Sequence, residues 1–210
     1  MRRALLLLLL WGASVCHGAE LYPARPVRLI ASFGPGSTVD LIARVVAQQL
    51  AEQMGKSFVV DNRVGAGGSI GNAFAAKAQP DGYTLLVGET GLTMMPGLYK
   101  SLPYDVMRDF TPVSQIVRTP MALVVHPSVK ANTLKEFVAL AQANPGKINY
   151  ASAGTGSAIF LVTELFKSAS DIDIVQIAYQ GGGPALAEVI GGQVPMMFLT
   201  IAAAMGQVKG

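Results

Sequence analysis

Residues 27–54, VRLIASFGPGSTVDLIARVVAQQLAEQM, decide the fold. Val27 to Phe33 reads as a buried strand, dominated by β-branched and apolar side chains. It runs straight into Gly34-Pro35-Gly36-Ser37-Thr38 and then into a helix that ends near Met54. Val39, Ile42, Val46, Leu50 and Met54 recur at three- and four-residue spacing and make one apolar stripe along that helix. Phe58 to Asn62 follows as a second strand. A strand, a glycine turn, a helix and another strand form a crossover unit, and such units build parallel α/β sheets.

The same grammar continues downstream. Gly65-Ala66-Gly67-Gly68 leads into a helix through about Lys77, Pro80-Asp81-Gly82-Tyr83 is a turn, and Thr84 to Val87 is a third strand. From Pro96 to Pro112 prolines loosen the pattern, and Phe110 to Val125 reads as extended chain broken by Pro112 and Pro120. This segment is the expected crossing from a first lobe, residues 20–110, to residues 111–210, which hold the crossing and a second lobe. There, Thr133 to Ala143 is a helix and Ile148 to Ser152 a strand, and Gly154-Thr155-Gly156-Ser157 opens a helix to about Ser168. Ile174 to Ile177 is a strand, Gly181-Gly182-Gly183-Pro184 opens a helix to Ile190, and Val194 to Leu199 precedes a final helix. The expectation is an α/β protein of two lobes facing one another across a cleft.

Residues 1–19 stand apart from this pattern. Arg2 and Arg3 supply a positive start, Ala4 to Gly12 an apolar run, and Ala19 closes a small-residue cleavage site, the layout of a secretory signal peptide. The apolar run is shorter than the ~20 helical residues that cross a bilayer. Cys16 follows Val15 rather than the small residue a lipid-attachment motif requires. Loss of Arg2 and Arg3 lowers Lys+Arg from 16 to 14 against 13 Asp+Glu, so the net charge falls from +3 to +1. A charge that small, without basic runs or interleaved aromatics, predicts no nucleic-acid partner. The single cysteine and single tryptophan leave with the signal, and the remaining cysteine-free chain suits an oxidising compartment.

Three turns share one device: Gly34–Thr38, Ala153–Ser157 and Gly181–Ala185 each join a strand to a helix start. In open parallel sheets such turns lie at the carboxyl ends of the strands, where ligands bind. Glycine lets the backbone approach a ligand, and the first amides of a helix favour an anion. Taken alone, each turn reads as a plain helix cap rather than a ligand site. Three of them in two lobes converge on an anion-binding cleft. Asp40, in the first helical turn, suits the helix dipole and is expected to be structural. Catalytic templates fail. His126 precedes Pro127 with no partner acid or elbow serine, and it is the one histidine left for a triad or a metal. From Gly65 a dinucleotide fingerprint breaks at Ile70, and Gly146-Lys147 is followed by Ile148 where a phosphate loop needs Ser or Thr. No catalytic residue, metal or cofactor is expected.

Ordered along the chain are Tyr22-Pro23 with Pro26-Val27-Arg28, Phe33-Gly34-Pro35-Gly36 with Asp40, and Asp61-Asn62-Arg63 before Gly65-Ala66-Gly67-Gly68. Pro80-Asp81-Gly82-Tyr83-Thr84, Leu102-Pro103-Tyr104-Asp105 with Asp109-Phe110, and Asn144-Pro145-Gly146-Lys147 with Tyr150 come next. Tyr179, Gly181 to Leu186 and Gly191-Gly192-Gln193-Val194 complete the set. In this order the motifs resemble the Bug family of periplasmic receptors, the solute receptors of tripartite tricarboxylate transporters. The resemblance implies a two-lobed type II periplasmic-binding fold that closes on its ligand about a hinge. It implies a monomer that takes a small carboxylate, such as a di- or tricarboxylate, an acidic amino acid or an aromatic carboxylate. Membrane permease components would receive that ligand.

Carried over from the family, the contact residues are Gly36, Ser37, Thr38, Thr90 and Gly91 in the first lobe. In the second they are Thr155, Gly156, Ser157, Gly182, Gly183 and Ala185. The chain departs from the family pattern at Ser37, where glycine is usual, near Phe160, where histidine is common, and at Leu199, where aspartate is common. Family members also return through the hinge to complete the first lobe, so the second crossing and the C-terminal part of that lobe are expected to be missing from these 210 residues. Three readings stay open at this level: a receptor, a shortened remnant that no longer binds, and a periplasmic α/β enzyme. Mass spectrometry of a periplasmic fraction tests the signal peptide. A chain beginning near Glu20 is expected, and recovery of a Met1 form confined to the cytoplasm would refute export.

Overall fold

The computed structural model describes residues 21–205, so the expected signal peptide and its cleavage site lie outside the described residues. The deciding stretch forms strand β1, Val27–Ala31, and helix α1, Thr38–Met54. Strands β2, Phe58–Asn62, and β3, Thr84–Val87, flank β1 in parallel, with Val27 opposite Phe58 and Arg28 opposite Thr84. Four of the five β1 residues are buried, as expected of a central strand covered on both faces. Leu29 and Ile30 are at most 1% exposed, and burying each such side chain contributes roughly 1.5–3 kcal/mol.

Helix α1 follows its sequence signals closely at both ends. The Ser37 hydroxyl caps it by accepting from the Asp40 amide, and Gly55 ends it at φ 65°, a left-handed conformation that costs glycine little. Its buried line differs from the expected stripe: Val39, Ala43 and Ala47 face the sheet, with Ile42, Val46 and Leu50 half-buried beside them. The reason is steric. Alanine lets the helix axis approach the sheet, and the larger side chains then fill the flanks.

Asp40 is almost wholly buried. Its Oδ2 accepts from the Gly36 amide and from Arg44 Nε, both at 3.0 Å, and its Oδ1 accepts from Asn62 Nδ2 at 2.9 Å. One carboxylate therefore ties the glycine turn to α1 and β2. Burial alone would push Asp40 up. Hydrogen bonds from Arg44, Asn62 and Gly36, with the Arg44 charge, outweigh it and hold the carboxyl below its usual range. The structural role expected of Asp40 matches this geometry.

After β2, a 3-10 turn at Ala66–Gly68 leads to α2, Ser69–Ala76, and β3 leads to α3, Thr90–Leu98. The sequence reading loosened at Pro96, yet α3 continues through it. Pro96 is exposed and lies two residues from the helix end, so its missing N–H deprives only the Leu92 carbonyl of a helical donor. Residues 111–120 are then exposed throughout and join no ladder.

The second half holds β4, Met121–Val125, α4, Leu134–Gln142, β5, Ile148–Ser152, and α5, Ala158–Ser170. It continues with β6, Ile174–Ala178, α6, Gly182–Ile190, β7, Met196–Thr200, and α7, Ile201–Ala204. Strands β5 and β6 pair in parallel, whereas β4 and β7 are antiparallel, with Met121 opposite Thr200. The sequence pattern, read as that of a parallel α/β sheet, carries no sign of this antiparallel pair. The difference arises because β4 leaves the crossing while β7 returns to it, and the Ile201 amide donates to the Pro120 carbonyl at 3.1 Å. Two apolar clusters support this half, one around Phe137, Tyr150, Ile174 and Met196, the other around Ala185, Val189, Val194 and Met197.

Replacing Asp40 with alanine takes the acceptor from the exposed Gly36 amide, from Arg44 and from the half-buried Asn62, which keeps its bond to the Phe33 carbonyl, and should cost about 1–2 kcal/mol at neutral pH. Because the native carboxyl is held low, its contribution is present above the ordinary carboxylate range and fades as pH falls through the native value. Urea unfolding of both proteins should show the difference shrinking below about pH 4.

Candidate functional site

The three glycine turns meet. Gly34 lies against the Gln180 carbonyl, Gly181 against the Gly34 amide, and Gly183 near the Pro35 carbonyl. They surround a cavity of about 660 Å³ whose wall also takes in β3's end and the crossing chain. Seven of the expected contact residues line it: Gly36, Ser37, Thr38, Thr90, Ser157, Gly182 and Gly183. The other four lie elsewhere. Ala185 is fully buried in the core beneath α6. Gly91, Thr155 and Gly156 form the contact between the two halves.

That contact is backbone on backbone. A Cβ on Gly67 would meet the Thr155 carbonyl, and a Cβ on Gly91 would meet the Gly156 carbonyl. Tyr99 OH also donates to the Thr155 oxygen, at 2.9 Å. Thr38 and Thr200 hydroxyls meet at 3.1 Å, across 162 residues of sequence. Ala153, from the second half, is buried in the same apolar cluster as β1 and α1.

Ser37 and Ser157 both act as caps. Ser157 Oγ accepts from the Phe160 amide at 3.3 Å and donates to the Gly154 carbonyl at 2.7 Å. With serines capping, and with the Asp40 carboxylate taking the Gly36 amide, specific donors remain. The amides of Thr38, Val39, Ile159, Gly182 and Gly183 have no acceptor among the described residues. All five residues line the cavity. They belong to the first turns of α1, α5 and α6, where a helix cannot satisfy its own N–H groups. Between these donors the wall is apolar, with Phe33, Ile42, Leu86, Leu186 and Leu199 among it. Such a chamber offers hydrogen-bond donors and partial positive charge to an anionic group, and an apolar surface to a short carbon chain.

Of the three departures, Ser37 and Leu199 stand in the cavity wall, and Phe160 packs on the core cluster around Tyr150. His126 is remote: it does not line the cavity, and its Nδ1 accepts from the Ser128 amide at 3.2 Å.

The sequence reading passed over two charged residues of the wall, Glu89 and Arg118. Glu89 occupies the N-cap position of α3 yet makes no cap hydrogen bond to it. Its Oε1 accepts from the Ala158 amide of α5 at 3.1 Å. Burial pushes its carboxyl up to about 7, against the pull of that amide. Glutamate is a poor N-cap, and its presence there was the available signal that it serves something else.

Over residues 42–210 the chain matches the family described as tripartite tricarboxylate transporter family receptor. It is 40% identical over 189 residues to protein BugT of Bordetella pertussis, covering 87% of this chain and 57% of that protein. The solved periplasmic binding protein BugD superposes with a TM-score of 0.85 at 34% identity, over 89% of this chain and 62% of that one. An R. palustris protein solved with adipate gives a TM-score of 0.85 at 34% identity, over 90% and 63%. The chain spans 53% to 64% of the length of the curated relatives it matches.

Gly91 has an ordinary helical backbone, so the strain of Gly91→Ala lies in what its Cβ would meet, the Gly156 carbonyl and Glu89 Oε1. Overpacking of this kind costs about 1–3 kcal/mol. The expected outcome is a more open molecule, with a larger radius of gyration in solution scattering and an unfolding midpoint lowered by a few degrees.

Proposed function

The chain belongs to the tripartite tricarboxylate transporter receptor family, and from that premise we propose that it captures a small carboxylate in the periplasm for the membrane permease components of such a transporter. The family is one of solute-binding receptors rather than enzymes. One observation carries the reading for this chain: five residues in the first turns of three helices, their amides lacking acceptors among the described residues, all line one cavity. Two carboxylates linked by a few carbons match that arrangement, each end on a set of amides and the chain along Ile42, Leu186 and Leu199. Adipate in a structural neighbour has this chemistry.

The ligand contacts we assign are Gly36, Ser37, Thr38, Thr90, Ser157, Gly182 and Gly183 in the wall. Gly91, Thr155 and Gly156 hold the halves together, and Ala185 positions α6. Residues 20–110 form the first lobe and 111–210 the crossing and second lobe, and the lobes close by rotation about the crossing and the β4–β7 pair. Export with cleavage near Ala19 delivers the chain to its ligand, which it binds as a monomer.

A thermal-shift screen of the full chain tests this function. Di- and tricarboxylates should raise the melting point, with stabilisation of about 2.7 kcal/mol at one hundred times Kd. Neutral sugars and cationic amino acids should not. A screen in which only sugars shift the midpoint would refute the carboxylate assignment.

A further inference from the structure

Glu89 is the one acidic side chain in the cavity wall. It stands two residues beyond β3, and its Oε1 is taken by the Ala158 amide, so it bridges the two halves. No donor among the described residues reaches its Oε2. Neighbouring elements bring it little charge. Helix α3 has no titratable residue, and neither has the 153–157 turn. On α5, Glu164 is tied to Tyr150 OH at 2.6 Å and to Lys167 at 3.1 Å. On α1, Asp40 and Arg44 pair with one another. Tyr99 gives its hydroxyl to Thr155. Arg118, exposed on the crossing chain, is the only cation in the wall.

We propose that Glu89 meets the ligand as a neutral carboxyl group, its Oε2 donating a proton to a ligand carboxylate, so that the cleft takes up one proton from solvent with each ligand it encloses. The inference rests on the carboxylate-receptor reading above. Its physical basis is that two carboxylates in direct contact, with no donor between them, do not both stay ionised. The Ala158 amide occupies Oε1 and leaves Oε2 for the proton. A ligand that instead presented an ammonium group to Glu89 would leave it ionised and take up no proton. Glu89 thereby sets which charge the ligand carries at this end of the cavity.

The direction of the pH dependence follows. In an open, hydrated cleft Glu89 has the ordinary carboxylate pKa of about 4.3, and closure raises it. The burial seen here takes it to about 7, and a ligand carboxylate alongside takes it higher. Affinity is then greatest in acid and falls as pH rises towards the closed-state value, by about tenfold per pH unit while a full proton is taken up.

Adipate is titrated calorimetrically into the full chain at about pH 6.5 in two buffers of different ionisation enthalpy, and again at about pH 7.5. The expected result is uptake approaching one proton per adipate at the lower pH and an affinity several-fold to tenfold weaker at the higher. Glu89→Gln keeps the shape and a donor, and should bind adipate with negligible uptake and a flat profile. Adipate binding to the wild type without proton uptake overturns this inference and leaves the receptor function standing. Uptake and slope unchanged in Glu89→Gln overturn it equally. Absence of binding by adipate, succinate and citrate at both pH values overturns both readings. Should Glu89→Gln fail to fold, the wild-type proton count decides alone.

Discussion

The two halves of this molecule touch through bare backbone. At Gly67 against the Thr155 carbonyl, and at Gly91 against the Gly156 carbonyl, there is no room for a single Cβ. Everything of functional interest depends on that approach. It brings α5's first turn to Glu89, seats Ala153 in the core built by β1 and α1, and walls off the cavity between the glycine turns. A side chain at either glycine would separate the turns by about the width of a methyl group, enough to break hydrogen bonds whose useful range is a few tenths of an ångström.

Polar satisfaction divides the site into fixed and available parts. Ser37, Ser157 and Asp40 spend their oxygen atoms on neighbouring amides, which holds the turns in shape. What remains is a set of amides that no nearby atom can reach, because helix geometry denies the first turn its own acceptors. The proposed affinity for an anion would be a by-product of how helices begin, concentrated by three helices starting at one place. Capping by the serine oxygens rigidifies the chamber, and Ser157 also gives its proton to the Gly154 carbonyl.

Glu89 complicates an otherwise donor-rich wall. A carboxylate among groups suited to anions opposes them unless it carries a proton, and its removal from water favours the proton. The same residue joins the halves through Ala158, and the proposed proton uptake would couple ionisation, closure and ligand charge in one side chain. Arg118, on the exposed crossing chain, faces solvent and leaves the buried end of the wall without a fixed cation.

The sequence by itself determined the local architecture. Alternating strands, glycine turns and amphipathic helices were legible because periodicity, caps and positive-φ glycines are encoded within a few residues, as Ser37, Gly55 and Ser157 illustrate. The three turns that border the cavity were legible for the same reason. Tertiary structure alone decided which residues meet: Glu89 with Ala158 across 69 positions, Thr38 with Thr200 across 162, and β4 antiparallel to β7. It also decided that Ala43 and Ala47, not the larger residues beside them, face the sheet, and that Ala185 is core while Thr155 is a joint. Such pairings depend on how sheets and helices dock at ångström precision, and no short-range pattern carries that information.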